Sequence, residues 1–327
     1  MKSNTAAVSG FKLFVKNNQI GMALVISALL FLITITLNPK SLNPITFGSI
    51  LSLTSMLLIA SAGQTLVIIS DGIDMSVGAT MSMTALLAVS VMRGSSDVGK
   101  MLLALLACLA VGGLVGLCNG IGSVKAGLPP MVVTLYISNI VSRLQYVATN
   151  GKPNDTKAPD WFKSLITTRF GGFFPAIVLF AAVFFVLMYY LLNRTRYGQQ
   201  LTLTGNNNRA AFLTGIKTTK IKMLNYVLAG ALGGLAGFIG AGNSGFIKCG
   251  TYDGMTMDSI VAVVIGGTLL TGGKGSYSGT AAGALLLIIL SNGLAVLQVT
   301  DSIKNMIMGA VLIILLAAYN RARPVRQ

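Results

Sequence analysis

A chain of 327 residues that is 54% hydrophobic and only 10% charged, with a mean hydropathy of +0.77, carries more apolar surface than a water-soluble domain of this size can hide. It has no histidine and its eight acidic residues are all aspartate, so metal clusters and histidine-based acid/base catalysis lack raw material, which argues against an enzyme. The formal net charge of +16 then reads as a topology signal and an attraction to anionic lipid rather than as a nucleic-acid surface.

The apolar residues come in blocks of about 17 to 24 separated by short polar or basic stretches, and about 20 residues at 1.5 Å rise cross a bilayer core. Runs such as 101–108 and 284–290 lack the alternation of a membrane β-strand, so helices are predicted. In chain order the expected spans are 21–37, 50–69, 73–92, 101–123, 130–148, 174–192, 223–242, 257–271, 279–297 and 303–319, ten in all; eight would keep the termini on the same side. Lys2, Lys12 and Lys16 precede the first block as in a secretory signal, but Asn38 and Pro39 follow it without a small-x-small cleavage pattern, so it is read as a retained span. The expectation is an all-α polytopic membrane protein: an N-terminal arm 1–20, one transmembrane domain 21–319 with an external loop 149–173 and a cytoplasmic loop 193–222, and a tail 320–327.

Lys and Arg set the orientation, because basic loops stay cytoplasmic. With both termini inside, fourteen fall on the inside and nine outside, Arg143 lying within a span. Six of the fourteen sit in the single loop 193–222. Cys108, Cys118 and Cys249 read as helix-packing residues. Glycines recur inside spans, as at Gly112, Gly113 and Gly116 or Gly230, Gly233, Gly234 and Gly237, where lipid-embedded helices approach closely.

Three stretches stand apart. In 63–82, Asp71 and Asp74 interrupt a long apolar length; carboxylates there either face a path or partner, or form a cytoplasmic turn in which Asp74 and Ser76 cap the next helix. In the basic loop, Gly-Asn turn chemistry precedes a short amphipathic piece at 209–213 with Gly215 as its stop, which has the shape of a docking element or of a plain solvated loop. The segment 260–283 is too short to cross comfortably and ends in glycines, as a gate, a re-entrant segment or a tight turn would. It is not a phosphate-binding loop: the first required glycine falls on Thr268, and Gly275 stands where Ser or Thr must follow Lys274.

Together these stretches resemble the permease family of ribose-type ABC importers, over about 50–319. The form GxTxVIxxxGIDLSVG is matched by Gly63, Thr65, Val67, Ile68, Gly72, Ile73, Asp74, Ser76, Val77 and Gly78, with Met75 for Leu. The form GNNxxAAxxSGI is matched by Gly205, Asn206, Asn207, Ala210, Ala211, Gly215 and Ile216, with Thr214 for Ser. The form AAVVxGGTSLxGGxG is matched by Ala262, Val263, Val264, Gly266, Gly267, Thr268, Leu270, Gly272, Gly273 and Gly275.

The resemblance implies a multi-pass protein of the bacterial inner membrane that pairs with a second copy or a sister permease. It also implies two ATP-binding subunits or one tandem ATPase that use ATP-Mg, and an extracytoplasmic solute-binding protein that delivers a sugar. The chain itself would bind no cofactor. The segment 205–216 would dock the ATPase, although Arg209 and Phe212 stand where relatives commonly carry an acidic residue and an arginine. Asp71, Asp74, Ser76, Gly78, Arg143, Gly266, Gly267 and Thr268 are candidates for the path or gate. Asn150, Lys152, Asp155, Asp160 and Trp161 suit contact with the delivering protein, or form ordinary solvated loop. Nucleoside or branched-chain amino acid cargo, and a gradient-driven carrier with broken helices, stay open as alternatives.

Overall fold

A computed structural model describes residues 19–39, 43–151, 157–244 and 246–320. Residues 1–18 of the expected N-terminal arm, 321–327 of the expected tail, and Lys152 and Asp155 of the external loop lie outside the described residues.

All ten predicted segments coincide with helices: α1 Gln19–Leu37, α2 Pro44–Ile69, α3 Val77–Met92, α4 Val98–Gly120, α5 Pro130–Thr149, α7 Ile177–Arg194, α10 Thr218–Ser244, α11 Met255–Ile265, α12 Tyr277–Val296 and α13 Asp301–Asn320. By length and composition six of the described helices can cross a membrane, namely α1, α2, α4 with the π-helical turn Ile121–Lys125 that extends it, α7, α10 and α12. Apolar α3 and α11 are shorter. The expected loops hold structure of their own. In the external loop lie a short helix, α6 Asp160–Thr167, and a hairpin of β1 Arg169–Phe170 with β2 Phe174–Pro175. The basic loop folds into α8 Arg196–Asn206 and α9 Asn208–Leu213.

Local chemistry sets the starts. Asn43 caps α2 by accepting from the Thr46 amide at 2.7 Å, with Pro44 at the first helical position. Asp97 caps α4 through the Gly99 amide at 2.8 Å, and Ser276 caps α12 through the Gly279 amide at 3.1 Å.

Two predicted spans are shorter than the apolar composition suggests. The third is helical only from Val77, because 70–76 is turn; the eighth stops at Ile265, because Gly267, Gly272 and Gly273 adopt left-handed φ in the turn that follows.

Helices α2 and α10 form the centre, each with 56% of its most apolar window buried, whereas α1 and α7 are only 17% buried and present their apolar faces outward. The closest seam runs between α4 and α10. A methyl group on Gly112 would run into the Gly230 carbonyl, one on Gly116 into the Tyr226 carbonyl, and one on Gly234 into the Cys108 carbonyl. With no hydrophobic drive between helices in lipid, such backbone-to-backbone approach supplies the association through packing. On the other flank Gly266 and Gly283 of the α11–α12 pair press against Gly279 and Ala262.

Replacing Gly112 by Val should destabilise the bundle by about 3 kcal/mol or more. Gly113→Ala, whose added carbon meets nothing nearer than a Val227 methyl at 4.0 Å, should be silent. Thermal unfolding of both purified variants in detergent checks this, and equal melting would show that the seam is not tight.

Candidate functional site

The three stretches singled out in the sequence meet at one end of the bundle. Where α2 stops, the Ile69 carbonyl accepts from the Gly273 amide at 2.9 Å. Gly205, near the end of α8, lies directly on that same carbonyl, and a side chain there would also reach the Gly273 amide. A Cβ at Gly272 would come within 3.0 Å of Asp71 and of the Gly205 carbonyl, and one at Gly275 within 2.8 Å of Ile69. A peptide of α2, the last turn of α8 and the tight turn 269–274, which the Leu269 amide closes on the Lys274 carbonyl at 2.9 Å, therefore form one glycine-walled seat.

Helix α9 stands outside this seat. Asn207 starts it by accepting from the Ala210 amide at 2.9 Å. It ends in a Schellman motif, with the Ile216 amide on the Ala211 carbonyl (3.2 Å), the Gly215 amide on Phe212 (3.0 Å) and Gly215 at φ +86°. Ala211 faces inward and Ile216 packs on the cluster of Leu201, Ile221 and Tyr277. Asn206, Arg209, Ala210, Phe212 and Leu213 are exposed, the last two at 66% and 79%. An exposed Phe-Leu pair beside an arginine makes a compact, partly apolar surface.

The turn 70–76 is held from several sides. Asp71 sits at left-handed φ of +66°; partial burial raises its carboxyl above the ordinary value and Lys222 draws it back. Asp74 and Ser76 are buried rather than open to a cavity. The Asp74 Oδ1 accepts from the Ser76 amide (2.8 Å), the Ser76 hydroxyl (2.6 Å) and the Asn119 Nδ2 (3.3 Å). Ser76 occupies the N-cap of α3 without capping it through its side chain. On the α5 side Thr134 accepts from the Met75 amide at 3.0 Å and donates to the Ile73 carbonyl at 3.1 Å.

A second irregular stretch, 246–254, turns back into the interior, where Ile247 and Tyr252 are buried. Side chains of α3 and α5 hold it, and α11 is tied to α3 beside it. Ser82 Oγ accepts from the Tyr252 amide (2.9 Å) and donates to Asp253 (3.1 Å). Gln145 donates to the Ala79 carbonyl (3.1 Å) and accepts from the Gly250 amide (3.0 Å), while the Gly78 amide donates to Thr256 Oγ1 (2.9 Å). Gly78 is thus a contact point for this stretch, because a Cβ there would lie 2.6 Å from the Tyr252 and Asp253 carbonyls. Sequence reasoning passed over Ser82, Asn119, Gln145, Asp253 and Thr256. Their signal was a polar side chain within or beside an apolar span.

Of the other predicted residues, Gly266, Gly267 and Thr268 are buried, Gly266 against Gly279 and Thr268 with a hydroxyl that has no partner among the described residues. Arg143 is exposed on the outer face of α5, in a shallow groove with Tyr136, Asn139, Ile140, Leu144 and Val147. Asn150 is the left-handed C-cap of α5 and Asp160 opens α6, both exposed. Trp161 packs partly onto the core beside Phe162 instead of projecting freely.

Residues 46–316 match the family model described as branched-chain amino acid transport system / permease component. The chain is 36% identical to the ribose import permease protein RbsC of Escherichia coli (strain K12) over 316 residues, covering 95% of this chain and 97% of that protein. It is 32% identical to RbsC of Bacillus subtilis (strain 168), over 88% of each. With the autoinducer 2 import system permease protein LsrC of Salmonella paratyphi B the identity is 32%, over 95% of this chain and 88% of that one. No solved structure matches. A match over most of the chain, on helices that bring the three motifs into a single seat, places the protein in the branched-chain amino acid transport system permease component family.

Proposed function

We propose that this protein is the membrane permease of an ATP-driven, binding-protein-dependent importer for a sugar, of the bacterial inner membrane. The observation that carries the reading is near full-length similarity to permeases named for ribose and for autoinducer 2 import. Those names favour a sugar or a sugar-like polar solute over the branched-chain amino acids of the family's description and over a gradient-driven carrier.

In this reading ten helices cross the membrane with both termini inside, which puts α8 and α9 on the cytoplasmic surface. The ATPase docks on α9 through Phe212, Leu213 and Arg209. Because Gly205 rests on the end of α2 and on the turn 269–274, displacement of α8 is delivered to backbone that the core cannot ignore. A second permease subunit completes the path, with the α5 face around Arg143 as its wall in this chain, and the binding protein delivers solute at the end that carries Asn150 and α6. The chain's own part is path and lever; hydrolysis belongs to the partner subunits.

Aspartate at Phe212 should weaken copurification of the ATPase by about thirty-fold, roughly the 2 kcal/mol of an interface anchor, without changing the melting of the isolated chain; pull-down from native membranes with quantified ATPase checks this. Gly205→Ala should cut sugar uptake by about tenfold or more at equal membrane levels, since its methyl group meets the Ile69 carbonyl. Full uptake by that variant would remove the seat from the coupling route. Uptake by the wild-type chain that survives ATP depletion would overturn the importer reading itself.

A further inference from the structure

One buried group serves neither the seat nor the α9 surface. Asp74 is 1% exposed, and all three of its donors fall on Oδ1. Its Oδ2 has no hydrogen-bond partner among the described residues. Asn119 is fully buried and donates through Nδ2 to Asp74 Oδ1 at 3.3 Å and to the Ser76 hydroxyl at 2.8 Å, while its own Oδ1 is also without a partner. The two orphaned atoms are both pure acceptors, carried by side chains already bonded to each other.

Two lone acceptors in one buried pair call for a single shared donor. The donors that reach Asp74 are all neutral, a backbone amide, a hydroxyl and a side-chain amide, and an ionised carboxylate taken out of water without a counter-charge is far more costly than a neutral one. The groups around it do not supply the charge. From α10 comes Tyr226, whose hydroxyl lies beside Ser123 and over Gly72, where a Cβ would approach it to 2.5 Å. The α4 end gives Asn119 and Ser123, and α5 gives Thr134. Asp71 on the same turn adds a negative charge that Lys222 faces, and Asp253 is engaged with Ser82.

We propose that Asp74 is a proton-binding site of the folded protein: a neutral carboxyl whose Oδ2–H donates to Asn119 Oδ1 and closes an acid–amide pair across the α3–α4 junction. One proton, taken from water, removes the buried charge and satisfies both orphaned acceptors. This adds a third hydrogen bond to the two by which Asn119 already holds the turn 70–76, at Asp74 Oδ1 and the Ser76 hydroxyl. Because the proton is held in the folded state and released in the unfolded one above the ordinary carboxylate range, this contribution to stability is fully present at acid pH. It declines as pH rises toward the value at which the folded Asp74 ionises.

The experiment is infrared spectroscopy of the full chain in lipid nanodiscs at neutral pH in D2O. The wild-type minus Asp74→Asn difference should carry the carbonyl stretch of one protonated carboxyl, and Asp74→Asn should flatten the fall in melting temperature as pH rises above the ordinary carboxylate range. A difference that carries carboxylate bands instead shows Asp74 ionised and overturns the proposal. Melting that depends on sodium or potassium against choline in the wild type and not in Asp74→Asn does the same, by assigning the site to a monovalent cation. Should Asp74→Asn not assemble, Asn119→Leu provides a second reading. It should keep the protonated-carboxyl band and move it to higher frequency as the acceptor is lost, and an unmoved band overturns the pairing.

Discussion

In a bilayer every peptide group that leaves a helix must find its hydrogen bonds inside the protein, and among the described residues three stretches of irregular backbone turn within the bundle or at its edge. At 70–76, 246–254 and 266–275 the backbone is irregular. Each break is repaired by a different part of the fold. The Ile69 carbonyl is served by Gly273, the Gly250 and Tyr252 amides by Gln145 and Ser82, and the Met75 amide by Thr134. Helices α2, α3, α5 and α11 are thus joined by bonds that cannot be traded for water.

Repair at this range requires close approach, and close approach requires glycine. At Gly205, Gly273 and Gly78 the neighbour is backbone, which cannot swing aside as the end of a long side chain can. The α4–α10 seam obeys the same rule over several turns at Gly112, Gly116, Gly230 and Gly234. A glycine-rich membrane chain built in this way is stiff where its glycines sit, because each marks a contact with no slack.

Much of this was legible in the sequence. Each of the ten apolar segments holds a helix, and the Gly-Asn turn chemistry and Gly215 bracket α9. What hydropathy cannot register is an apolar run that is not helical throughout: 266–271 reads as membrane-spanning but turns, because left-handed glycines follow Ile265. The external loop holds a contact that no local pattern reveals: Phe162 lies against Phe238 of α10 at a ring separation of 4.9 Å, which brings the neighbouring Trp161 partly onto the core. Gln145 and Asn119 were invisible for the converse reason. A single amide in an apolar helix gains meaning only when the orphaned backbone or carboxylate that it faces is known.

The same constraint explains why the surface element and the buried motifs occur together in one chain. A helix docked on a bundle by side chains alone can be pushed without moving what lies beneath, since rotamers absorb small displacements. Here α8 touches α2 through the Gly205 backbone on the Ile69 carbonyl, so nothing soft lies between them. The peptide that it presses is the last of a mostly buried helix, and the turn that follows is pinned to α4 by Asn119 and to α5 by Thr134. A displacement at the surface must either break bonds that have no aqueous replacement or carry α2, α4 and α5 with it as a body. Under the importer reading proposed above, the second is the course that a close-packed bundle takes, and the glycine seat is the point where a local push becomes a rearrangement of helices.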